Sequence, residues 1–100
     1  MPIYFFSKSK RPYKKYYVRA LDDNKSIHFG DSRYQDYTQH KDDARKLRYL
    51  IRHQKNENWN DPNSAGFWSR WLLWNKKTIQ SSIKDIENRF GIKVRRLKNN

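Results

Sequence analysis

The chain contains no cysteine. Disulfides and cysteine-ligated zinc are thereby excluded, and a reducing compartment suits such a composition. Glycine and proline are also scarce, at three each in 100 residues. No GxGxxG or GxxxxGK[ST] run exists, so no glycine-rich loop can cradle a phosphate group. No apolar run approaches the roughly 18 residues that a membrane-spanning helix needs. The segment Met1-Pro2-Ile3-Tyr4-Phe5-Phe6 has no basic stretch before it and no small-residue cleavage site, so a signal peptide is not expected. Pro2 stands where N-myristoylation requires glycine. Acidic residues are few: 10 Asp+Glu face 23 Lys+Arg, giving a net charge of +13, and none precedes Asp22.

That imbalance implies an acidic partner, which could be nucleic acid, an acidic protein surface or an anionic membrane surface. Hydrophobic residues make up 35% of the chain, below the usual share, but 16% of the residues are aromatic. Each buried aromatic removes roughly 150–250 Å² from water, so a small, aromatic-rich core is expected. One hundred residues suffice for one domain.

The stretch Ala65–Asn75 holds three of the four tryptophans. At helical spacing Phe67, Trp71 and Trp74 fall on one face, extended by Trp68 and Leu72, while Leu73 lies nearly opposite. Such a helix reads as the centre of the core rather than as a base-stacking platform. Arg70 lies off the aromatic face and could reach a partner's carboxylate or phosphate. Ile79, Ile83, Ile86 and Phe90 form a narrow stripe on a helix over 79–90, capped by Thr78 and closed by Gly91.

Upstream, residues 14–31 predict a β-hairpin. Tyr16, Tyr17, Val18 and Leu21 mark one strand, and Ile27, His28 and Phe29 the other. Asp22-Asp23-Asn24-Lys25 forms the turn, with Asn24 suited to a left-handed conformation. Residues 31–40 predict a loop that Tyr34 and Tyr37 could pin to the core, with the next helix starting at Thr38 or His40. Residues 41–55 predict an amphipathic helix whose apolar face is Ala44, Leu47, Leu50 and Ile51. Along it Lys41, Arg45, Arg48, Arg52 and Lys55 form a single-sign stripe. A face built for solubility mixes signs, and like charges at i, i+4 cost the helix a few tenths of a kcal/mol each; the stripe is therefore a candidate anion-binding surface. In the connection after it, Asp61-Pro62 and Ser64 compete as the next helix cap, and Trp59 is expected to fold back on the core.

The fold class expected is α+β: an N-terminal hairpin, with a possible third strand from residues 92–98 beside it, packed on three helices. Residues 1–13 are expected to form a basic, aromatic-tipped arm carrying Lys8, Lys10 and Arg11. Residues 14–94 form the domain, and residues 95–100 a basic tail carrying Arg95 and Arg96. No HExxH motif, metal-ligand spacing or nucleophile–base pair is readable. No enzyme activity, metal or cofactor is therefore expected.

Several strings resemble a small uncharacterised protein family of the nucleocytoplasmic large DNA viruses of amoebae and algae. They are Ile27-His28-Phe29-Gly30, Tyr37-Thr38-Gln39-His40-Lys41-Asp42, Arg48-Tyr49 with Arg52-His53, Glu57-Asn58-Trp59, the run from Ala65 to Lys76, and Ser82-Ile83-Lys84-Asp85. The family's pattern has a proline where this chain has Lys77. The resemblance implies a virion setting, with host cytoplasm during assembly, and no catalytic residues. The leading expectation is a non-enzymatic minor capsid or cement component that binds capsid or other virion proteins through its basic arms and surface. The alternative is a sequence-nonspecific nucleic-acid-binding protein associated with the viral genome. Peripheral membrane contact stays open.

Overall fold

The computed structural model describes residues 2–23 and 25–97. Strand β1 (Ile3–Lys8) lies inside a four-stranded sheet of order β3-β2-β1-β4. It pairs antiparallel with β2 (Lys14–Ala20), which pairs antiparallel with β3 (Ser26–Asp31). On its other side β1 pairs in parallel with β4 (Lys93–Arg96). The expected N-terminal arm is thus corrected: its aromatic tip is a central strand, and Phe6 is fully buried. Lys8 ends that strand, and Lys10 and Arg11 lie in the β1–β2 turn. The basic tail is corrected too, because Arg95 and Arg96 belong to β4. The C-terminal strand exists, but it adds to β1 rather than to the hairpin. The hairpin is present at 14–31; its turn residue Asn24 lies outside the described residues, as do Met1 and residues 98–100.

The polypeptide covers one face of this sheet with helices. Phe6, Val18, Phe29 and Val94 point into a cluster with Phe67, Trp68, Trp71, Leu72, Leu73 and Ile86. Fully burying each large side chain contributes roughly 1.5–3 kcal/mol. Trp74, Ile79, Ile83 and Phe90 pack around this cluster half-buried. Helix α1 (Tyr37–His40) is a single turn capped by Asp36, whose carboxylate accepts from the Thr38 N–H while Gln39 reaches back to the Asp36 N–H. This turn was not expected as a helix of its own: the start expected at Thr38 or His40 for the following helix is corrected, because the chain turns left-handed at Lys41 and Asp42 caps that helix instead. Tyr37 is buried, but Tyr34 is 66% exposed and does not pin the loop.

Helix α2 (Asp43–His53) is capped by Asp42 and is shorter than expected. Lys41 lies outside it: at φ 56° it closes α1, and its ammonium donates to the Thr38 carbonyl. Lys55 follows its end. The helix is also rotated from the expected face. Tyr49 is its buried residue, flanked by half-buried Lys46, Leu50 and His53, whereas Leu47 and Ile51 are 58% and 55% exposed. The reason is chemical. Tyr49 stacks on Trp74, and the Lys46 stem is buried so that its ammonium can donate to the Asn75 carbonyl at 2.6 Å. These contacts bring amphipathic side chains inward at the expense of two aliphatic ones.

The aromatic stretch is a helical turn, α3 (Ala65–Trp68), continued by a π turn over Ser69–Leu73. Ser64 is its cap, accepting from the Phe67 N–H, and Trp59 packs on the core as expected. In the π turn the Trp74 N–H donates five residues back to Ser69. Each π residue advances less than the 100° of an α residue. Leu73 therefore swings into the core, where it is 1% exposed, and Trp74 swings outward. Helix α4 (Ile79–Phe90) has Thr78 as cap and Gly91 in the left-handed conformation after it, as expected. Among the described residues no helix is long and apolar enough to cross a membrane.

Candidate nucleic-acid interface

A groove runs between α2 and the loop after β3. Arg45, Arg48 and Arg52 stand at successive turns of α2 and face Tyr34, Gln35 and Trp74 across about 240 Å³. It opens into a cleft of about 450 Å³ that shares Tyr34, Gln35, Arg52 and Trp74 and reaches Lys14, Tyr49 and His53. The wall between them is a column of rings. Trp74 and Tyr49 lie 4.3 Å apart and 2° from parallel, Tyr49 and His53 lie 4.2 Å apart, and His40 leans on Trp74 at 5.3 Å.

Local sequence explains this placement. Residues 45, 48 and 52 follow the i, i+3, i+7 spacing, so the arginines share one side of α2 once Tyr49 turns inward. Gly30 lies on the cleft floor at φ 80°, and a Cβ there would come within 2.8 Å of Leu73 Cδ1. The glycine lets β3 lie against the π turn. Gly66 does the same for Glu57, whose carboxyl carbon would be 2.9 Å from an added Cβ.

The charges of the cleft are unevenly used. Every carboxylate that lines it has a partner. Asp31 accepts two hydrogen bonds from the Arg33 guanidinium, at 3.0 and 2.9 Å, which hold its pKa down at about 2. Asp36 is bound by the Lys15 ammonium at 2.7 Å. Glu57 accepts from Trp59 Nε1 at 3.0 Å and meets His53 at 3.2 Å. By contrast, the side chains of Lys14, Arg45, Arg48 and Arg52 make no ion pair or hydrogen bond with any described residue. Asp42 forms no ion pair with them, although the Arg48 charge is among the causes that lower its pKa. Its carboxylate is engaged by the N–H groups of Arg45 and Ala44, and the Arg45 hydrogen bond most strongly lowers its pKa. His40 is held below the ordinary histidine range, first by burial and then by the nearby Arg45 charge.

The remaining residues of the expected surface behave differently. Arg70 is corrected from a partner-facing residue to an interior one. It donates from Nη1 to the Trp74 carbonyl at 3.0 Å, and its guanidinium lies 4.2 Å from the Trp71 ring centre and 5.3 Å from that of Trp59. Burial lowers its pKa. Arg95 pairs with Glu87 at 2.9 Å, and Arg96 lies over Phe6 and Tyr16. Lys8, Lys10 and Arg11 do not line the arginine groove, although Lys8 lines a neighbouring cavity with Lys14, Lys15 and Asp36 of the cleft. Sequence reasoning missed Tyr34 and Gln35 as groove residues, because only the packing of the 31–36 loop brings them beside α2, and it missed Lys14, which lines the adjoining cleft from β2. Among the described residues no group of three or more His, Asp or Glu side chains is placed to hold a metal ion.

Residues 5–53 match a family of unknown function, DUF5754. The DUF5754 match runs from β1 to the end of α2. It therefore includes the three arginines and nearly all of the first three strands, and it stops before the aromatic turn. No curated protein and no solved structure matches the chain.

Proposed function

We propose that this protein is a non-enzymatic, sequence-independent nucleic-acid-binding protein whose phosphate-contacting surface is the α2 arginine groove. The observation that carries this reading is the asymmetry of the cleft: its carboxylates are all engaged, and Lys14, Arg45, Arg48 and Arg52 are not. Arginine presents a planar fork suited to phosphate oxygens, and phosphate contacts supply affinity without reading sequence. In the virion setting that the sequence resemblance implies, such a protein would accompany the genome.

Binding should weaken linearly in log–log salt plots, by roughly 0.9 per phosphate neutralised on a duplex. Replacing Arg45, Arg48 and Arg52 together with alanine should flatten that slope by up to about 2.7. Fluorescence anisotropy across a salt series measures both. Unchanged slope in the triple variant, or no salt-dependent binding by the parent protein, would sink this reading.

A second reading has its own support. Leu47 and Ile51 are exposed on the outer side of the same helix, where Ile51 borders Arg48. A mixed apolar and basic helix face suits an acidic protein partner, as a minor capsid or cement component would require. On that reading the protein is present in purified particles at more than trace copy number, and Leu47→Asp with Ile51→Asp removes it from them without unfolding it.

A further inference from the structure

The sheet has a second face, and no helix of the described residues covers it. Strand alternation sends Tyr4, Phe6, Val18 and Val94 to the core, so Phe5, Tyr17 and Arg19 emerge on the other side. Neither Phe5 nor Tyr17 belongs to the core cluster or packs against it, and both are half-buried. They stand on the two central strands. Phe5 is opposite Arg19, so Phe5 and Tyr17 are diagonal neighbours, with Cα atoms roughly 7–8 Å apart. His28, opposite Tyr17 on β3, adds a third ring at 5.6 Å. An antiparallel sheet with one face in solvent normally alternates to polar residues there. Rings at its centre instead offer π faces that a partner can cover.

Charge identifies the chemistry of that partner. Arg19 and Lys93 flank the rings from β2 and β4, and both are exposed without a side-chain ion pair to any described residue. Residues 1–21 contain no acid at all. The ligand must therefore offer flat π faces and repeated negative charges together. A single-stranded nucleic acid does so, whereas a duplex keeps its bases stacked on one another. We infer that the open face of the sheet is a stacking platform for single-stranded nucleic acid, with Phe5 and Tyr17 each receiving a base and Arg19 and Lys93 contacting the phosphates. This deepens the proposed function and rests on it, because it names the class of nucleic acid and a second contact surface.

The test compares oligo-dT with a blunt DNA duplex as probes, using the full chain. The parent protein should prefer oligo-dT at equal ionic strength. Phe5→Ala and Tyr17→Ala should each weaken oligo-dT binding by about 5- to 150-fold and leave duplex binding unchanged. Phe5→Leu and Tyr17→Leu keep an apolar side chain of similar size while removing the π face. They should show a comparable loss with an unaltered thermal melt, which separates stacking from packing. If the leucine variants bind oligo-dT as the parent does, while the triple arginine variant loses binding, the platform is wrong and the phosphate-binding reading stands. If the parent binds neither probe, both readings fall.

Discussion

Two regions of this molecule use the same residue types and come to opposite ends. In the 65–75 segment aromatic and basic side chains satisfy one another: Arg70 lies over Trp71 and Trp59 and donates to the Trp74 carbonyl, and Lys46 donates to that of Asn75. On α2, Arg45, Arg48 and Arg52 stand beside Trp74 and Tyr34 with no ion-pair or side-chain hydrogen-bond partner among the described residues. A cation is a binding candidate when its hydrogen-bonding capacity is left over. Proximity to aromatic rings does not distinguish the two cases: the Arg70 guanidinium also lies over tryptophan, but its unpartnered Nε is buried, whereas the leftover donors of the α2 arginines face the groove.

The comparison can be broken most sharply in the interior. Trp68 is fully buried, packs against Tyr4 and Phe67, and donates from Nε1 to the Pro62 carbonyl at 2.8 Å. Trp68→Ala should cost about 3–5 kcal/mol, much of the stability of a domain this size. Chemical denaturation measures it, and a loss under about 1 kcal/mol would mean that the segment is not the core.

A smaller effect is expected at Asn75, which is buried and donates to Asp85 at 2.7 Å. Burial pushes the Asp85 carboxyl up, but hydrogen bonds from Asn75 and Arg89 outweigh it and hold its pKa below the ordinary value of 3.8. A carboxylate with a depressed folded-state pKa contributes stability above its unfolded pKa and loses it as pH falls through the folded one. Asn75→Ala should therefore cost about 1.5–3 kcal/mol near neutral pH, and the gap should close in acid. An equal gap at neutral pH and well below 3.8 would contradict this assignment.

The α2 arginines should show the reverse pattern. The same triple alanine variant that flattens the salt slope should change unfolding stability by no more than about 0.5 kcal/mol, as surface substitutions that break no ion pair do. A large loss would place these residues with Arg70 rather than opposite it.

The smallest effect concerns His40, whose Nδ1 accepts from the Asp42 N–H and whose Nε2 is buried without a partner. With its pKa lowered from 6.5 by burial, the folded state prefers the neutral ring. The stabilisation is complete above 6.5 and declines as pH falls below it toward the folded pKa. His40→Gln should flatten thermal stability between neutral pH and mild acid. A parent protein whose melting point does not fall over that range would overturn the point.

Much of the fold was legible where the signal is local. Thr78, the isoleucine stripe and Gly91 marked α4, because caps and i, i+4 spacing act within a few turns. The hairpin was legible for the same reason. Strand β1 was not, since Ile3-Tyr4-Phe5-Phe6 lacks alternation and its partners are β2 and a strand about 90 residues away. The face of α2 was misread because hydropathy favours Leu47 and Ile51 over Tyr49 and Lys46. The arginines were legible as a stripe, but Lys41 and Lys55 were counted with them because the helix ends depended on Asp42 and on the chain's exit after His53.

The amino-acid sequence alone determined the charge imbalance, the absence of cysteine chemistry, the aromatic core segment and the location of three arginines on one side of a helix. These are properties of composition and short spacing. The tertiary structure decided which cations are spent and which are free, that Phe5 and Tyr17 share an uncovered face, and which way α2 and the π turn present their side chains. Those outcomes depend on contacts between distant segments, where the hydrogen-bonding and packing of one element settle what another can bury.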